Sequence, residues 1–500
     1  MLAIVTAALL SAACTSLDVT HAGAQLSAAG SSTYDALNPK GRRKAPSADT
    51  RSEDRHLKDS DRRKLVGGLR ELRRNSSLLA WMVRRHLDYV ATHTFQAVSG
   101  NDAWDDELEA WQKEESAADR FEIRGMLSQA EFVRLAEAMA VIDGDLGVLH
   151  VDTDTGRLQG IEGDRIRDPF GVSVGYDPKS QTWYNGVRVD EMGRPVEYAV
   201  HRRYNGDSGL VWERNVPASN LHLHAYADRF DQYRGVSPLA SAFNEVRDVY
   251  EGMSLHLVQA KVAGLFGMKV TRNADLAMGK VTGGEDADGN EDRSSYDVSF
   301  GSGPIFMDLD PGDDAAFLDN NNPAANMQDF WKFVTLVALK ALDIPFGLFD
   351  ESSNNFFGNK TAWLSYDRAC DVKRDRVQSM LHRTTEFKYR IALRDGRLRP
   401  PPGRLRVVMK RPWLWVPRKM PWWRPLEEVT ANLKAIDGGL TTPQRVCAES
   451  DQGDWYDNID EIARALEYAK KMGVPLTFGV SPEMEKQVAD SRKSTEDDAT

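Results

Sequence analysis

The sequence predicts an α+β protein of several domains, on three observations. Apolar residues recur at helical spacing near the start, at Leu65, Leu69, Leu72, Leu79 and Met82. Between about residues 140 and 225 the period shortens, and Asp-Gly, Asn-Gly and Met-Gly pairs separate short β-rich runs. A long helical pattern returns after Pro238. With 500 residues, 41% of them hydrophobic, the chain can bury the cores of two to four domains.

Residues 22 to 60 are rich in Ser, Gly, Asp, Lys and Arg and bury too little apolar surface to offset chain entropy, so residues 1–60 read as a flexible arm. A charged helix starts at Asp61 and continues towards Val90, and a second helical region covers about 103 to 140. The runs VIDGDLGVLHVDTDTGRLQGI and VSVGYDPKSQTWYNGVRVDEMGRPVEYAVHRRYNG then predict antiparallel strands, ending with SNLHLHAYA. A helix from Pro238 to about Gly264 is followed by strands and loops over 268 to 325 and a helix from Met327 to Asp343, stopped by Pro345. The Gly/Asn-rich loop GLFDESSNNFFGNK precedes a helix of about thirty residues, Thr361 to Leu393. Residues 399 to 425 carry too much Pro for a helix and too much Trp for a linker, which predicts extended chain packed on the body. Three helical segments close the chain: EEVTANLKAID before Gly438-Gly439, one begun by Thr442-Pro443, and DNIDEIARALEYAKKM before Gly473. Beyond about Ser481 the sequence is a polar tail.

The helix at Pro238 has a well-specified start, because Ser237 is a good N-cap and Pro238 suits the first helical position. Leu239, Phe243, Val246, Tyr250, Met253, Leu257 and Ala260 alternate at spacings of four and three, a narrow seam that suits a partner helix better than a broad core. Phe330, Val334, Val337 and Ala341 repeat the pattern in the later helix. The two suggest an antiparallel pair with a small module hung on its end.

Composition narrows the chemistry. A net charge of −11 argues against tight general nucleic-acid binding, which needs clustered cations to release counterions. Cys14, Cys370 and Cys447 are too few for a disulfide framework. The apolar run Leu2 to Ala13, ending at Cys14, resembles an export-signal core but has no Lys or Arg before it, and no stretch is long enough to span a membrane. No phosphate-binding loop is present, since Gly358-Asn359-Lys360-Thr361 lacks the paired glycines. His222 and His224 share a strand face but have no third ligand at metal spacing, which favours a structural role. Asp286, Asp288, Asn290 and Asp292 mimic a calcium loop but place Glu291 where Gly is needed, so a solvated acidic turn is expected. Asp143, Asp145, Asp152 and Asp154 read as turn residues of β-hairpins, with paired-carboxylate catalysis as the sharper and less favoured reading.

Several separated motifs, in one order, resemble the lambda-type family of tailed-bacteriophage portal proteins. They are Glu71-Leu72-Arg73-Arg74-Asn75-Ser76, Gly193-Arg194-Pro195-Val196-Glu197-Tyr198, Val216-Pro217-Ala218 to His222, and Gln232-Tyr233-Arg234-Gly235-Val236-Ser237-Pro238-Leu239. Later come Ala338-Leu339-Lys340-Ala341-Leu342-Asp343-Ile344-Pro345-Phe346-Gly347-Leu348-Phe349, then Ile436-Asp437-Gly438-Gly439-Leu440-Thr441-Thr442 and Gly453-Asp454-Trp455. The loop string Asn355-Phe356-Phe357-Gly358-Asn359-Lys360-Thr361-Ala362 departs from the family's pattern.

The resemblance implies a portal fold: wing at 61–235, stem helices at 236–270 and 326–345, clip at 271–325, channel loop at 346–360, long wing helix and extended segment at 361–429, crown at 430–478 and a disordered tail at 479–500. It implies a non-enzymatic ring, of twelve subunits in the family, at one capsid vertex of a virion assembled in the host cytoplasm. The implied partners are other copies of the chain, double-stranded DNA bound non-specifically, the terminase large subunit, and capsid, scaffold and head-completion proteins, with no cofactor, metal or membrane. Asn354, Asn355, Lys360, Lys373 and Arg376 are the expected channel residues. Leu239, Phe243, Val246, Tyr250, Met253 and Leu257 are the expected stem packing. A secreted or lipid-anchored bacterial binding protein is the alternative, motivated by Leu2 to Cys14.

Overall fold

The structure, a computed structural model, describes residues 47–169, 182–204, 209–265, 268–272, 313–317, 325–350, 356–401, 411–420, 422, 424–450 and 452–474. The acidic turn at Asp286–Asp292, Asn354, Asn355, the apolar start and the tail lie outside these residues. The chain divides into two units, Met1–His56 and Leu57–Thr500. In the first, Glu53–His56 form one helical turn, and the Asp49 carboxylate accepts from Arg51 Nε at 2.9 Å.

The second unit opens with α1 (Asp59–Asn75) and α2 (Ser77–Val90). Sequence periodicity reads these as one helix, but Ser76 breaks them: its N–H closes α1 on Leu72 O at 2.7 Å, and its hydroxyl accepts from Leu79 N to start α2. Strand β1 (His93–Ala97), unmarked by any sequence pattern, follows. The helical region read as 103 to 140 is in fact α3 (Asp102–Glu115), a short turn at Ala118–Phe121, and α4 (Gln129–Asp143). Ser128 and Glu131 form a reciprocal capping box on α4.

The β region is two antiparallel sheets. One orders β3 (Leu158–Glu162), β2 (Asp145–His150) and β8 (Leu221–Ala225); the other is a meander of β4 (Trp183–Tyr184), β5 (Val187–Val189), β6 (Pro195–Arg203) and β7 (Leu210–Pro217). Asn185 (φ 49°) and Gly186 (φ 90°) make the β4–β5 turn expected of an Asn-Gly pair.

Helix α5 (Phe243–Leu265) follows a 3-10 turn at Pro238–Ala242. β9 (Met268–Arg272) pairs antiparallel with β10 (Asp313–Phe317), and α6 (Ala325–Leu339) returns into a 3-10 turn at Lys340–Leu342. Helix α7 (Phe356–Arg394) is 39 residues, longer than its sequence pattern predicts. β11 (Trp413–Pro417) pairs with β1, so part of the aromatic segment is a strand, and Gln378 of α7 covers its outer edge by donating to Trp415 O at 2.6 Å. Helices α8 (Pro425–Asp437), α9 (Pro443–Glu449) and α10 (Trp455–Met472) end the described chain, with Gly473 in the left-handed conformation that closes α10.

One core joins α1, α2, α3, α4, β2, α7 and β11, with Leu69, Leu79, Met82, Leu108, Val148, Val377 and Trp413 among its buried side chains. A second, around Val187, Val200 and Leu221, lies between the two sheets.

Candidate functional site, a helix pair and its buried root

Every residue of Gln232-Tyr233-Arg234-Gly235-Val236-Ser237 has a structural task. Gln232 folds the loop by accepting from Asp228 N at 3.0 Å and donating to Arg234 O at 2.8 Å. Tyr233 packs on Tyr184, ring centroids 4.9 Å apart. Arg234 is 1% exposed and its fork is filled: Nε and Nη2 grip Asp145 at 2.7 and 2.9 Å, and Nη1 and Nη2 reach the carbonyls of Ile166, Asn185 and Gly163. Gly235 donates to Asp145 at 2.9 Å, and its backbone lies so close to Gly144 that no Cβ would fit there. Val236 N donates to Tyr226 O at 2.9 Å, and the Ser237 hydroxyl donates to Val141 O while accepting from Leu239 N. The start of the helix is thereby locked to α4 and β2.

This corrects the reading of Asp143 and Asp145 as hairpin-turn residues. Asp143 ends α4, Gly144 turns the chain at φ 95°, and Asp145 begins β2, so the pair marks a helix-to-strand corner. Their electrostatics diverge. Burial raises the Asp145 carboxyl, but Arg234 and Arg62, the latter at 2.9 Å, outweigh it and hold the group below its usual range. Burial pushes Asp143 up to about 6 despite its bond to Arg70, because that guanidinium is shared with Glu162 and Asp164, whose charges oppose ionisation.

A second buried knot stands beside it. Glu137 accepts from His86 Nε2 at 2.7 Å, His224 Nε2 at 2.6 Å and the Tyr226 hydroxyl at 2.5 Å. Burial raises this carboxyl, yet the bonds from His224 and His86 outweigh it and keep the charge, while burial lowers His86. Among the described residues no group of three or more His, Cys, Asp and Glu side chains could hold a metal ion. His222 packs against His150, with ring centroids 5.2 Å apart.

From this root α5 and α6 run antiparallel. The turn Pro238–Ala242 meets Lys340–Leu342, and further out His256 meets Trp331 edge to face, centroids 5.8 Å apart. The buried line runs from Ala242 in the 3-10 turn to Val246, Val249 and Gly252 on α5; on α6 it is Thr335, Ala338 and Leu339, with Trp331 and Val334 partly buried. Gly252 was not singled out by the sequence, although an isolated Gly inside a helix is itself a signal of close approach. A Cβ there would overlap the Trp331 indole.

The four-three seam is therefore split. Leu239 and Val246 are buried and Phe243 is partly buried, but Tyr250, Met253 and Leu257 are 46, 57 and 61% exposed. The contact with α6 passes through the neighbouring face, because Gly252 brings the backbones together there. Leu255, Val258, Phe330, Phe333, Leu336 and Val337 are exposed as well. Single exposed apolar side chains are ordinary; a set on one helix pair is the mark of a surface meant to be covered.

Of the expected channel residues, Lys373 donates to Leu342 O at 2.8 Å and Asp343 Oδ2 at 2.9 Å. It thus pins Asp343, a non-glycine residue at φ 62°, where α6 ends. The Arg376 guanidinium carbon sits 4.0 Å from the Tyr226 ring centroid. Lys360 is half-buried beside Trp363 and Lys419 in a cavity of about 290 Å³. Asn354 and Asn355, the other two expected channel residues, fall outside the described residues.

The family model described as phage portal protein, lambda family, matches residues 40–374. That span covers more than half of the chain and holds the buried root and both helices, so the chain is of the portal or connector class. It belongs to the lambda family of phage portal proteins. Among solved structures, the virion of a native gene transfer agent particle aligns with 12% identity over 82% of this chain and 94% of that one, TM-score 0.40. The neck of the native particle computed with C12 symmetry gives 11%, 75%, 91% and 0.40, and the neck of the empty particle with C6 symmetry gives 12%, 82%, 94% and 0.43. No curated protein matches.

Proposed function

We propose that the chain assembles into a closed ring, of twelve copies, at one vertex of a phage-like capsid and serves as the conduit for DNA packaging and ejection. The uncovered apolar faces of α5 and α6 carry this reading. Burying one Leu- or Phe-sized side chain contributes about 1.5–3 kcal/mol, so repeated contacts of this kind can hold a ring together. The filled Arg234 fork supports it by fixing the direction in which the pair leaves the body.

In this reading α5 and α6 are the stem, β9 and β10 the base of the clip, the body the wing, α8 to α10 the crown, and 346–360, which opens on a helical turn at Phe346–Phe349 and ends in the first residues of α7, the channel segment. The terminase large subunit would dock on the ring, which would also meet capsid, scaffold and head-completion proteins. DNA would pass without being held, because each retained phosphate contact adds salt-dependent affinity and hence drag, and a charge of −11 on every copy favours sliding. Lys373 and Arg376 already have partners within the chain, so their part in the channel would be to shape its wall more than to grip phosphates. The chain would itself carry out no catalysis.

The test is packaging in a terminase-driven reaction with assembled proheads. Particles built with Leu257→Asp protein should contain no DNA; normal filling would refute the assignment.

A further inference from the structure

Among the described residues strand β1 has an open edge. Val98 N donates to Pro412 O and Arg418 N to Thr92 O, so the even-numbered residues of β1 face β11 and the odd-numbered ones face away. Of the outward groups, Ala97 N–H is taken by Glu109 at 2.8 Å. The outward N–H and C=O groups of His93 and Phe95 meet no backbone partner among the described residues. They line a groove of about 810 Å³ between α3 and the start of α4, whose apolar wall includes Val133, Leu381 and Trp415. The buried Gln112 gives its Nε2 hydrogens to Gln129 at 2.6 Å, and its Oε1, also lining this groove, has no hydrogen-bond partner among the described residues. An open strand edge, an apolar wall and a spare buried acceptor together match an added β-strand.

We propose that the strand is Leu476-Thr477-Phe478-Gly479-Val480 from the C-terminal tail of a neighbouring copy. Leu476, Phe478 and Val480 alternate with Thr477 and Gly479, the pattern of a strand that buries one face. The groove sets Lys113, Arg418 and Arg134, the last also paired with Asp88, against Glu109 and Glu131, a small excess of positive charge that suits the acidic stretch that follows, Glu483 and Glu485 foremost. Reach assigns the strand to another copy. Asp454, the N-cap of α10, lines a small cleft with Thr94, Phe95 and Gln96, and α10 then runs 18 residues, about 27 Å, before the tail begins. Leu476 is only three residues beyond Gly473, about 10 Å of extended chain. A strand donated between copies would tie the ring together at a second place. This step rests on the ring reading, whereas the groove itself does not.

The groove is tested first on the chain ended at Val474, with a fluorescent peptide of residues 475–488. Saturable binding is expected, weakened at least tenfold by Phe478→Asp in the peptide or by Ala130→Trp, an exposed groove-side position, in the protein. The peptide should also slow amide exchange at His93 and Phe95. No binding, binding indifferent to both substitutions, or unchanged exchange would overturn the groove. The donor is tested on the full chain carrying Ala130→Cys and Gly479→Cys with Cys14 and Cys447 replaced by Ser. Disulfide-linked multimers are expected, and crosslinks confined to single chains would overturn donation between copies. Failure of the ring alone would leave the peptide result standing.

Discussion

Arg234→Lys is the sharpest test of the buried root. Lysine keeps the charge and can stay near Asp145, but an ammonium has three donors on one point where the guanidinium spreads five across a plane. The carbonyls of Gly163 and Ile166, at the two ends of one 3-10 turn, and of Asn185 in the β4–β5 hairpin lie around that plane, and one lysine cannot reach all of them together with both Asp145 oxygens. Leaving two buried carbonyls unsatisfied costs about 1–3 kcal/mol each. The expected loss is about 2–6 kcal/mol, which for a unit of this size is a fall in Tm of roughly 2–6 °C. Arg234→Met should cost more, because it leaves all three carbonyls unsatisfied and removes one of the two guanidinium groups that hold the Asp145 charge, Arg62 remaining. Thermal and urea unfolding of the full chain measure both. A lysine variant within about 0.5 kcal/mol of the natural chain would refute the claim that the fork geometry, beyond its charge, holds the root.

Other outcomes follow from the same contacts. Gly252→Ala should lower stability by about 1–3 kcal/mol through overlap with Trp331, and adding Trp331→Leu should restore most of it, as a double-mutant cycle would measure. Tyr250→Asp should leave unfolding of the isolated subunit nearly unchanged, because the side chain is exposed, yet abolish the oligomer in sedimentation; changes beyond Ser481 should leave the oligomer's subunit number intact. Burial, with Arg390 and Arg383 nearby, lowers His150 to about 4. A folded pKa below the unfolded 6.5 gives stability that is present above pH 6.5 and lost as pH falls towards 4, on the order of 3 kcal/mol. Asp143 acts in the opposite sense, its folded pKa near 6 lying above 3.8, so the comparison is made against His150→Phe, whose melting temperature should fall less between pH 7 and 5.

Local rules made much of this fold legible. Ser237 and Pro238 announce the helix start, Asn185-Gly186 its hairpin, and Thr442 and Gly473 the last helices, because caps and turns depend on the few residues that form them. Ser76 could have been read as a break but was masked by the helical spacing on both sides. β1 carries no signal in HTFQA because its partner lies more than 300 residues away, at 413–417. The root was legible only as a motif: Arg234 is conspicuous in the string, but its partners, Asp145 and three carbonyls, come from three distant segments, and Arg62, which shares Asp145, comes from a fourth. The seam was legible as apolar and named the right partner helix, but beyond Val246 the contact turns to another face, because the glycine that sets the close approach has no side chain to enter a periodicity.

The central claim is that the exposed faces of α5 and α6 are subunit contacts of a closed ring. Native mass spectrometry of the purified full chain tests it most directly. The account predicts one closed species of twelve 55.9 kDa subunits for the natural chain and monomer for Leu257→Asp. A natural chain that stays monomeric at every salt concentration, or a ring that survives Leu257→Asp, would contradict it.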